Sequence, residues 1–257
     1  MLMLSKTLFW IFNFILGMII GSFLNVVIYR LPREESLIYP ASHCPVCNHP
    51  LKWYDMIPIF SYVVLHGKCR YCGSKISLRY PIIEAITGLA FMGIGWKYGW
   101  SLKFFEYITF SSLLIAVSFT DIFDGVIPDI IVIPGAVIGL IFSLIQGKVV
   151  FFSSLYGLLL MGGFFVLIIL VTAGKGMGQG DVTLGCMIGA FLGLKFSVVT
   201  LVLSFLFGAI GGITAVIFMR KKGKDTIPFG PFLASSGYIV LLYGYTIINL
   251  YLKFFSF

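Results

Sequence analysis

The sequence predicts an all-α membrane protein with about eight transmembrane helices and a small cysteine-containing domain between the first and second of them. Hydrophobic residues make up 59% of the 257 residues and charged residues only 11%, with a mean hydropathy of +1.03. Soluble domains carry about 25% charged residues. Long apolar runs also recur along the whole chain, and such runs need lipid as their solvent. A compact water-soluble fold is therefore excluded.

The apolar runs define the order of the predicted spans. The first, from Met1 to Ile28, lacks a charged leader and a small-residue cleavage site, so we expect a retained helix rather than a signal peptide. We predict three parts: a first transmembrane helix (1–29), a hydrophilic domain (30–80) and the main membrane domain (81–257). The predicted spans lie at about 8–28, 81–96, 104–121, 126–146, 150–173, 182–197, 198–219 and 229–252.

The distribution of basic residues predicts the orientation in the membrane. The net charge is +8, and most Lys and Arg residues fall on one side, in the loops 30–80, 122–125, 174–181 and 220–228. That side is expected to be cytoplasmic, with both termini outside. This topology requires the chain to reverse direction within 182–219. The basic charge is interpreted as a topology signal, so no nucleic-acid partner is expected.

Four cysteines in the hydrophilic domain form a metal-binding pattern. Cys44-Pro-Val-Cys47 is followed after 21 residues by Cys69-Arg-Tyr-Cys72. Four thiolates suit tetrahedral zinc, and a domain of about fifty residues builds too small a core to be stable without such a ligand. Two disulfides or a redox pair are the alternatives, but a cytoplasmic placement argues against disulfides. We therefore expect structural zinc in a cytoplasmic zinc-knuckle domain with four cysteine ligands.

The other cysteine and the histidines are given structural roles. His43, His49 and His66 flank the knuckles, but the four cysteines already complete a zinc site, so the histidines are expected to be solvated or supporting. Cys186 lies in an apolar run and is expected to be a small packing residue.

Two aspartates at the ends of apolar runs carry the strongest functional signal. Asp121 ends the run 104–121, and Asp181 opens the run 182–197, on the same predicted side. A carboxylate at membrane depth is costly and indicates function. Two carboxylates in one site share a proton, so one takes a proton from water while the other donates to a carbonyl. The pattern predicts hydrolysis by direct water attack.

The segment before Asp181 is rich in glycine. Gly176, Gly178 and Gly180 are predicted to form a loop that a substrate strand approaches closely, because they carry no side chains. A phosphate-binding turn is the alternative, but the segment lacks the GK[ST] ending of a P-loop, and Lys175 is misplaced.

Three further acids are given structural interpretations. Asp124 with Gly125 is typical of a turn, and Asp129 follows Pro128, where an acid stabilises the start of a helix. Glu84 lies one turn into the second apolar run, and a dipole or buried polar contact is favoured over catalysis.

Taken in order, these motifs resemble the type IV prepilin peptidase family of membrane aspartyl enzymes, over essentially the whole chain. Besides the paired knuckles and the Asp121 segment, the resemblance rests on Gly21-Ser-Phe-Leu-Asn25-Val-Val-Ile-Tyr-Arg30-Leu-Pro32, Ser77-Leu-Arg79-Tyr-Pro81-Ile-Ile-Glu84, Gly176-Met-Gly-Gln-Gly180-Asp181 and Pro228-Phe-Gly-Pro231.

The resemblance implies a set of expectations. Asp121 and Asp181 would be the catalytic pair, in the multi-pass protein of a bacterial inner membrane whose active site and zinc domain face the cytoplasm. The substrates would be type IV prepilins and pseudopilins, cut after a short basic leader. Methylation of the new N-terminus with S-adenosylmethionine is also implied, although no motif identifies residues for the methyl donor. Thr183 departs from the family, which often has Lys there.

Two other classes of protein share some of these features. A polytopic transporter with ion-coupling aspartates also uses paired acids and broken helices, but it is expected to show repeat symmetry between its halves, and no repeat is visible. A non-catalytic membrane scaffold would leave the paired acids unexplained.

Overall fold

The computed structural model describes residues 2–174, 176–219 and 228–255, and this part of the chain is helical with no strand. Two short 3-10 helices, Leu31–Arg33 and Trp53–Met56, lie in the loop after the first helix. The predicted all-α class is confirmed. The α-helices are α1 (Leu2–Arg30), α2 (Phe60–Val64), α3 (Arg79–Tyr98), α4 (Leu102–Asp124), α5 (Asp129–Gln146), α6 (Lys148–Val171), α7 (Gln179–Met219) and α8 (Gly230–Phe255).

Six of the described helices are long and apolar enough to cross a membrane by length and composition. They are α1, α4, α5, α6, α7 and α8. The helix α3, which corresponds to the predicted second span, is 20 residues long and carries the charged residues Arg79, Glu84 and Lys97; it is not among the six. The protein is therefore a multi-pass membrane protein.

The helix α7 contains a reversal of the chain. Gly193 has non-helical angles, φ 72° and ψ 173°. On one side of it, a Cβ on Gly185 would lie 2.6 Å from the ring of Phe165; on the other, the ring centre of Phe205 lies 6.5 Å from that of the same Phe165. In a straight helix, residues twenty positions apart are separated by about 30 Å. The chain therefore folds back at Gly193, as the predicted 182–219 hairpin requires.

The chain divides into two compact units, Met1–Ala116 and Val117–Phe257, with the boundary inside α4. In the first unit, α1 packs along α3 through glycines. A Cβ on Gly17 would lie 2.5 Å from the carbonyl of Thr87, and a Cβ on Gly21 would lie 2.8 Å from the Cα of Glu84. Small residues let membrane helices approach this closely.

In the second unit, α7 packs against α5, α6 and α8. A Cβ on Gly139 of α5 would lie 2.9 Å from the ring of Phe191, and Gly157 of α6 lies against the backbone of Gly189. The end of α4, from Val117 onward, belongs to the same unit.

Several expectations concern features beyond this description. Lys175 and the basic residues Arg220, Lys221, Lys222 and Lys224, which enter the orientation argument, lie outside the described residues. The orientation in the membrane and the division into 1–29, 30–80 and 81–257 stay predictions.

Candidate active site

The four predicted metal ligands lie together in the first unit. The sulfur atoms of Cys44, Cys47, Cys69 and Cys72 all lie within 4.8 Å of one another, and those of Cys44 and Cys72 are 3.9 Å apart. Zinc–sulfur bonds of about 2.3 Å in a tetrahedron place the sulfurs about 3.8 Å apart. All four cysteines are free thiols, so this cluster could hold a zinc ion with little adjustment.

Each knuckle is built by the same local hydrogen bonds. The N–H of Asn48 donates to the carbonyl of Cys44 at 2.8 Å, and the N–H of Gly73 donates to that of Cys69 at 2.9 Å. Asn48 and Gly73 both have positive φ angles, 55° and 72°, which these residue types tolerate best. The ring centres of His49 and Tyr71 lie 3.7 Å apart, with the rings tilted by 33°, so the two knuckles contact each other.

The surroundings of Cys44 and Cys47 shift the pKa values of these two thiols in opposite directions. Burial raises the pKa of Cys44, but N–H groups of its own knuckle and the hydroxyl of Ser74 lower it, to about 6. The N–H of His49 lowers the pKa of Cys47, whereas burial and the neighbouring thiols Cys44 and Cys72 raise it to about 11. A thiolate at Cys44 is thus available at neutral pH, and metals bind the thiolate form.

The remaining cysteine and the histidines are not members of this metal-binding group. Among the described residues, the group that could hold a metal contains no histidine. The side chain of Cys186 packs against Gly162 of α6, which is the packing role that its apolar surroundings predict.

The second unit brings the two predicted aspartates into one site. Asp121 lies near the end of α4 and Asp181 in the first turn of α7. Each is only 7% exposed, and they are close enough for the charge of Asp121 to act on Asp181. Helix packing within this unit therefore joins two carboxyl groups that are remote in the chain.

Each of the two carboxyl groups accepts a hydrogen bond from a different backbone N–H group, through one of its oxygens. The N–H of Gly230 donates to Oδ2 of Asp121 at 2.9 Å, and the N–H of Gly178 donates to Oδ2 of Asp181 at 3.2 Å. These are the hydrogen bonds that the two carboxyl groups make within the described part of the chain. Oδ1 of each is left available to a water molecule or a substrate.

Gly230 is a site residue that the sequence analysis did not assign. A Cβ at this position would lie 2.6 Å from Oδ2 of Asp121, so a larger residue would require that carboxyl group to shift. The signal was present, because Pro228-Phe-Gly-Pro231 carried part of the family resemblance. Without coordinates, nothing connected that segment to Asp121.

The predicted substrate-approach loop has internal contacts at two of its glycines. A Cβ on Gly176 would lie 2.8 Å from the side chain of Thr172, and one on Gly180 would lie 2.7 Å from Ile127. A Cβ on Gly178 would have Oδ2 of Asp181 as its nearest neighbour, at 3.6 Å. Close packing within the chain explains Gly176 and Gly180, and a role in substrate approach stays a prediction.

Two further acids have the structural positions predicted for them. Asp129 begins α5, and the hydroxyl of Thr183 donates to its carboxylate at 2.8 Å. Asp124 ends α4, and Gly125 follows with a φ of +66°, as in a turn.

A multi-pass helical bundle with a buried pair of carboxyl groups and a separate four-cysteine module defines the class: a membrane-embedded enzyme of the aspartyl type. Comparison with known proteins then identifies the family. The family model for the bacterial peptidase A24 N-terminal domain matches residues 15–98, and that for the type IV leader peptidase family matches residues 108–213. The chain belongs to the type IV leader peptidase family and is an aspartyl endopeptidase.

Curated relatives cover nearly the whole chain. The prepilin leader peptidase/N-methyltransferase of Pseudomonas aeruginosa is 34% identical over 95% of this chain and 93% of its own length. The enzyme of the same name from Neisseria gonorrhoeae is 36% identical over 88% of this chain and 87% of its own length. No solved structure shows a significant match.

Proposed function

We propose that this enzyme cleaves the short basic leader from type IV prepilins and pseudopilins and then methylates the new N-terminus. The observation that carries the cleavage proposal is the buried site shared by Asp121 and Asp181, each anchored by one backbone N–H. The names of the relatives, prepilin leader peptidase/N-methyltransferase, support the choice of substrate and the second activity.

The proposed cleavage uses one water molecule and one shared proton. The charged carboxylate takes a proton from water as the water oxygen bonds to the peptide carbonyl carbon, and the neutral carboxyl group protonates the carbonyl oxygen. The C–N bond then breaks, and a proton passes to the leaving amine. Because the carboxyl groups titrate as a pair, neither Asp121 nor Asp181 is assigned a fixed role.

The proposed location is the cytoplasmic side of the bacterial inner membrane. The excess of basic residues in one set of loops supports this orientation, and the aspartates lie at helix ends on the same predicted side. A prepilin keeps its basic leader in the cytoplasm and its apolar segment in lipid, so its scissile bond reaches this depth.

Two bound groups are part of the proposal. Cys44, Cys47, Cys69 and Cys72 would hold a structural zinc ion, in keeping with their spacing of at most 4.8 Å. S-adenosylmethionine would supply the methyl group: a bond forms between the N-terminal nitrogen and the methyl carbon, the sulfur–methyl bond breaks, and the amine releases a proton.

Co-expression with a prepilin, followed by mass measurement of the product's N-terminus, tests both activities together. Asp121→Asn and Asp181→Asn are expected to abolish cleavage, because an amide cannot take a proton from water. Asp129→Asn is the matched control, since Asp129 begins α5 and bonds Thr183, and it should still cleave.

Normal cleavage by either Asp121→Asn or Asp181→Asn would overturn the assignment of the pair. A product that is cleaved by the wild-type enzyme but not methylated would remove the methylation half and leave the cleavage half standing.

A further inference from the structure

A cavity in the first unit lies between the four-cysteine module and the adjoining ends of α1 and α3. Its volume is about 600 Å³, within the range of about 300–1,000 Å³ typical of small-molecule sites. Its lining includes Asn25, Arg79, Tyr80 and Glu84. The cleavage chemistry proposed above uses none of these residues.

Two buried polar side chains line the cavity with incomplete partners. Glu84 has no charged partner, and one atom of Asn25 has no hydrogen-bond partner among the described residues. Glu84 is only 7% exposed and accepts hydrogen bonds from the N–H of Ile59 at 2.7 Å and from the hydroxyl of Ser22, both neutral donors. Asn25 is 2% exposed, and its Oδ1 has no hydrogen-bond partner among the described residues. A buried carboxylate and an amide oxygen without a hydrogen-bond donor are both acceptors, so together they favour a positively charged ligand.

Two other buried or half-buried charged groups of the lining are paired within the protein, and Glu35 and Lys75 of the lining are exposed. Asp55 accepts hydrogen bonds from Arg70 at 2.7 Å and from Tyr71 at 3.0 Å. The guanidinium of Arg30 donates to the carbonyls of Ser36 and Pro40, both at 2.8 Å. Glu84 is thus the buried acid of this cavity whose protein partners carry no charge.

The cavity also offers a cation and aromatic surfaces. The guanidinium of Arg79 lies 5.0 Å from the ring centre of Tyr80 and 5.5 Å from that of Tyr29. A guanidinium binds carboxylates in a forked geometry, while tyrosine rings accept flat heterocycles and methylated cations. A ligand that fits would combine a positive charge, a carboxylate and a planar ring.

We propose that this cavity is the methyl-donor site, with Glu84 and Asn25 beside the sulfonium of S-adenosylmethionine and Arg79 holding its carboxylate. The inference rests on the methylation half of the proposed function. It assigns that half to residues of the first unit, whereas the aspartate pair belongs to the second. The donor has a sulfonium, an ammonium, a carboxylate and an adenine ring, so each chemical feature of the lining has a counterpart.

Direct binding tests the proposal without relying on methylation. Zinc-loaded, full-length protein is titrated by calorimetry with S-adenosylmethionine and with S-adenosylhomocysteine, whose sulfur is neutral. We expect Glu84→Gln to weaken binding of the charged donor about tenfold or more and binding of the neutral product less. Glu106→Gln is the matched control, because Glu106 is equally buried, at 3% exposed, but does not line the cavity.

Cleavage of a prepilin serves as the folding check, since its proposed residues lie in the second unit. A second measurement needs no variant: labelled S-adenosylmethionine is cross-linked to the wild-type protein by ultraviolet light, and the modified peptides are mapped by mass spectrometry. Labelled peptides within residues 22–84 support the proposal, and labels confined to other residues overturn it.

The outcomes separate this inference from the proposed function. If Glu84→Gln binds the donor as tightly as Glu106→Gln does while the wild-type enzyme still methylates, the site assignment fails and the activity stands. If the wild-type protein cleaves but neither binds the donor nor methylates, the methylation half fails and takes the site with it.

Discussion

The backbone N–H of Gly230 donates a 2.9 Å hydrogen bond to the carboxylate of Asp121, across 109 positions of the chain. The start of α8 thus orients an acid at the end of α4, and the absence of a side chain on Gly230 makes the contact possible. A backbone donor cannot rotate away as a side chain can, so the carboxyl group is held in one orientation.

Replacing Gly230 with alanine should impair cleavage without removing either aspartate. The added methyl group would lie 2.6 Å from Oδ2 of Asp121 and would displace that carboxyl group. Misplacement by about 1 Å costs roughly a hundredfold in rate, so we expect a fall in kcat of about that size for prepilin cleavage. Gly212→Ala is the control, because a Cβ there meets nothing within 4 Å. Equal rates for the two variants would contradict the positioning role.

Replacing Gly193 with alanine should destabilise the second unit. The φ of 72° and ψ of 173° at Gly193 are essentially restricted to glycine, and a side chain there costs about 1–3 kcal/mol. The new Cβ would also lie 2.7 Å from the hydroxyl of Ser153. We expect a lower thermal midpoint in detergent than for Gly163→Ala, whose Cβ meets nothing within 4 Å. An unchanged midpoint would mean that the chain reversal does not depend on glycine.

Zinc content should depend on the four clustered cysteines alone. We expect about one zinc ion per chain in the purified protein, measured by elemental mass spectrometry. Cys44→Ser should lower this content strongly, whereas Cys186→Ser should leave it unchanged, because Cys186 packs against Gly162 in the other unit. Zinc retained by Cys44→Ser, or lost from Cys186→Ser, would contradict the four-cysteine assignment.

Asp55 should stabilise the cysteine module in its charged form. Burial raises its pKa, but hydrogen bonds from Arg70 and Tyr71 outweigh this effect and hold it below 3.8. Its contribution is therefore present above pH 3.8 and is lost as the pH falls through the lowered value. Because the side chain of Arg70 is 41% exposed, solvent screens the pair and the charge contributes little to stability.

Asp55→Asn tests this contribution. At pH 7, the variant should release zinc at a lower urea concentration than the wild-type protein, as followed with a metal-sensitive dye. Asp124→Asn, which changes an acid at the end of α4, should release zinc as the wild-type protein does. If Asp55→Asn and the wild-type protein release zinc at the same urea concentration, the carboxylate has no stabilising role.

Local patterns in the sequence were sufficient for much of this architecture. The helical class follows from long apolar runs, and the knuckles follow from two CxxC spacings with Asn48 and Gly73 behind them. The hairpin within 182–219 is hard to recognise from sequence, because the reversal at Gly193 interrupts an apolar stretch without a polar loop. The number of spans likewise depends on α3, which carries Arg79, Glu84 and Lys97 within 20 residues.

The sequence by itself determined the membrane class, the cysteine cluster and the choice of Asp121 and Asp181, because composition, short spacings and an acid beside an apolar run are properties of neighbouring residues. Only the tertiary structure decided that Gly230 orients Asp121 and that Asn25 and Glu84 line one cavity. These contacts join residues that are distant in the chain, and they depend on how closely the helices pack, which no local pattern specifies.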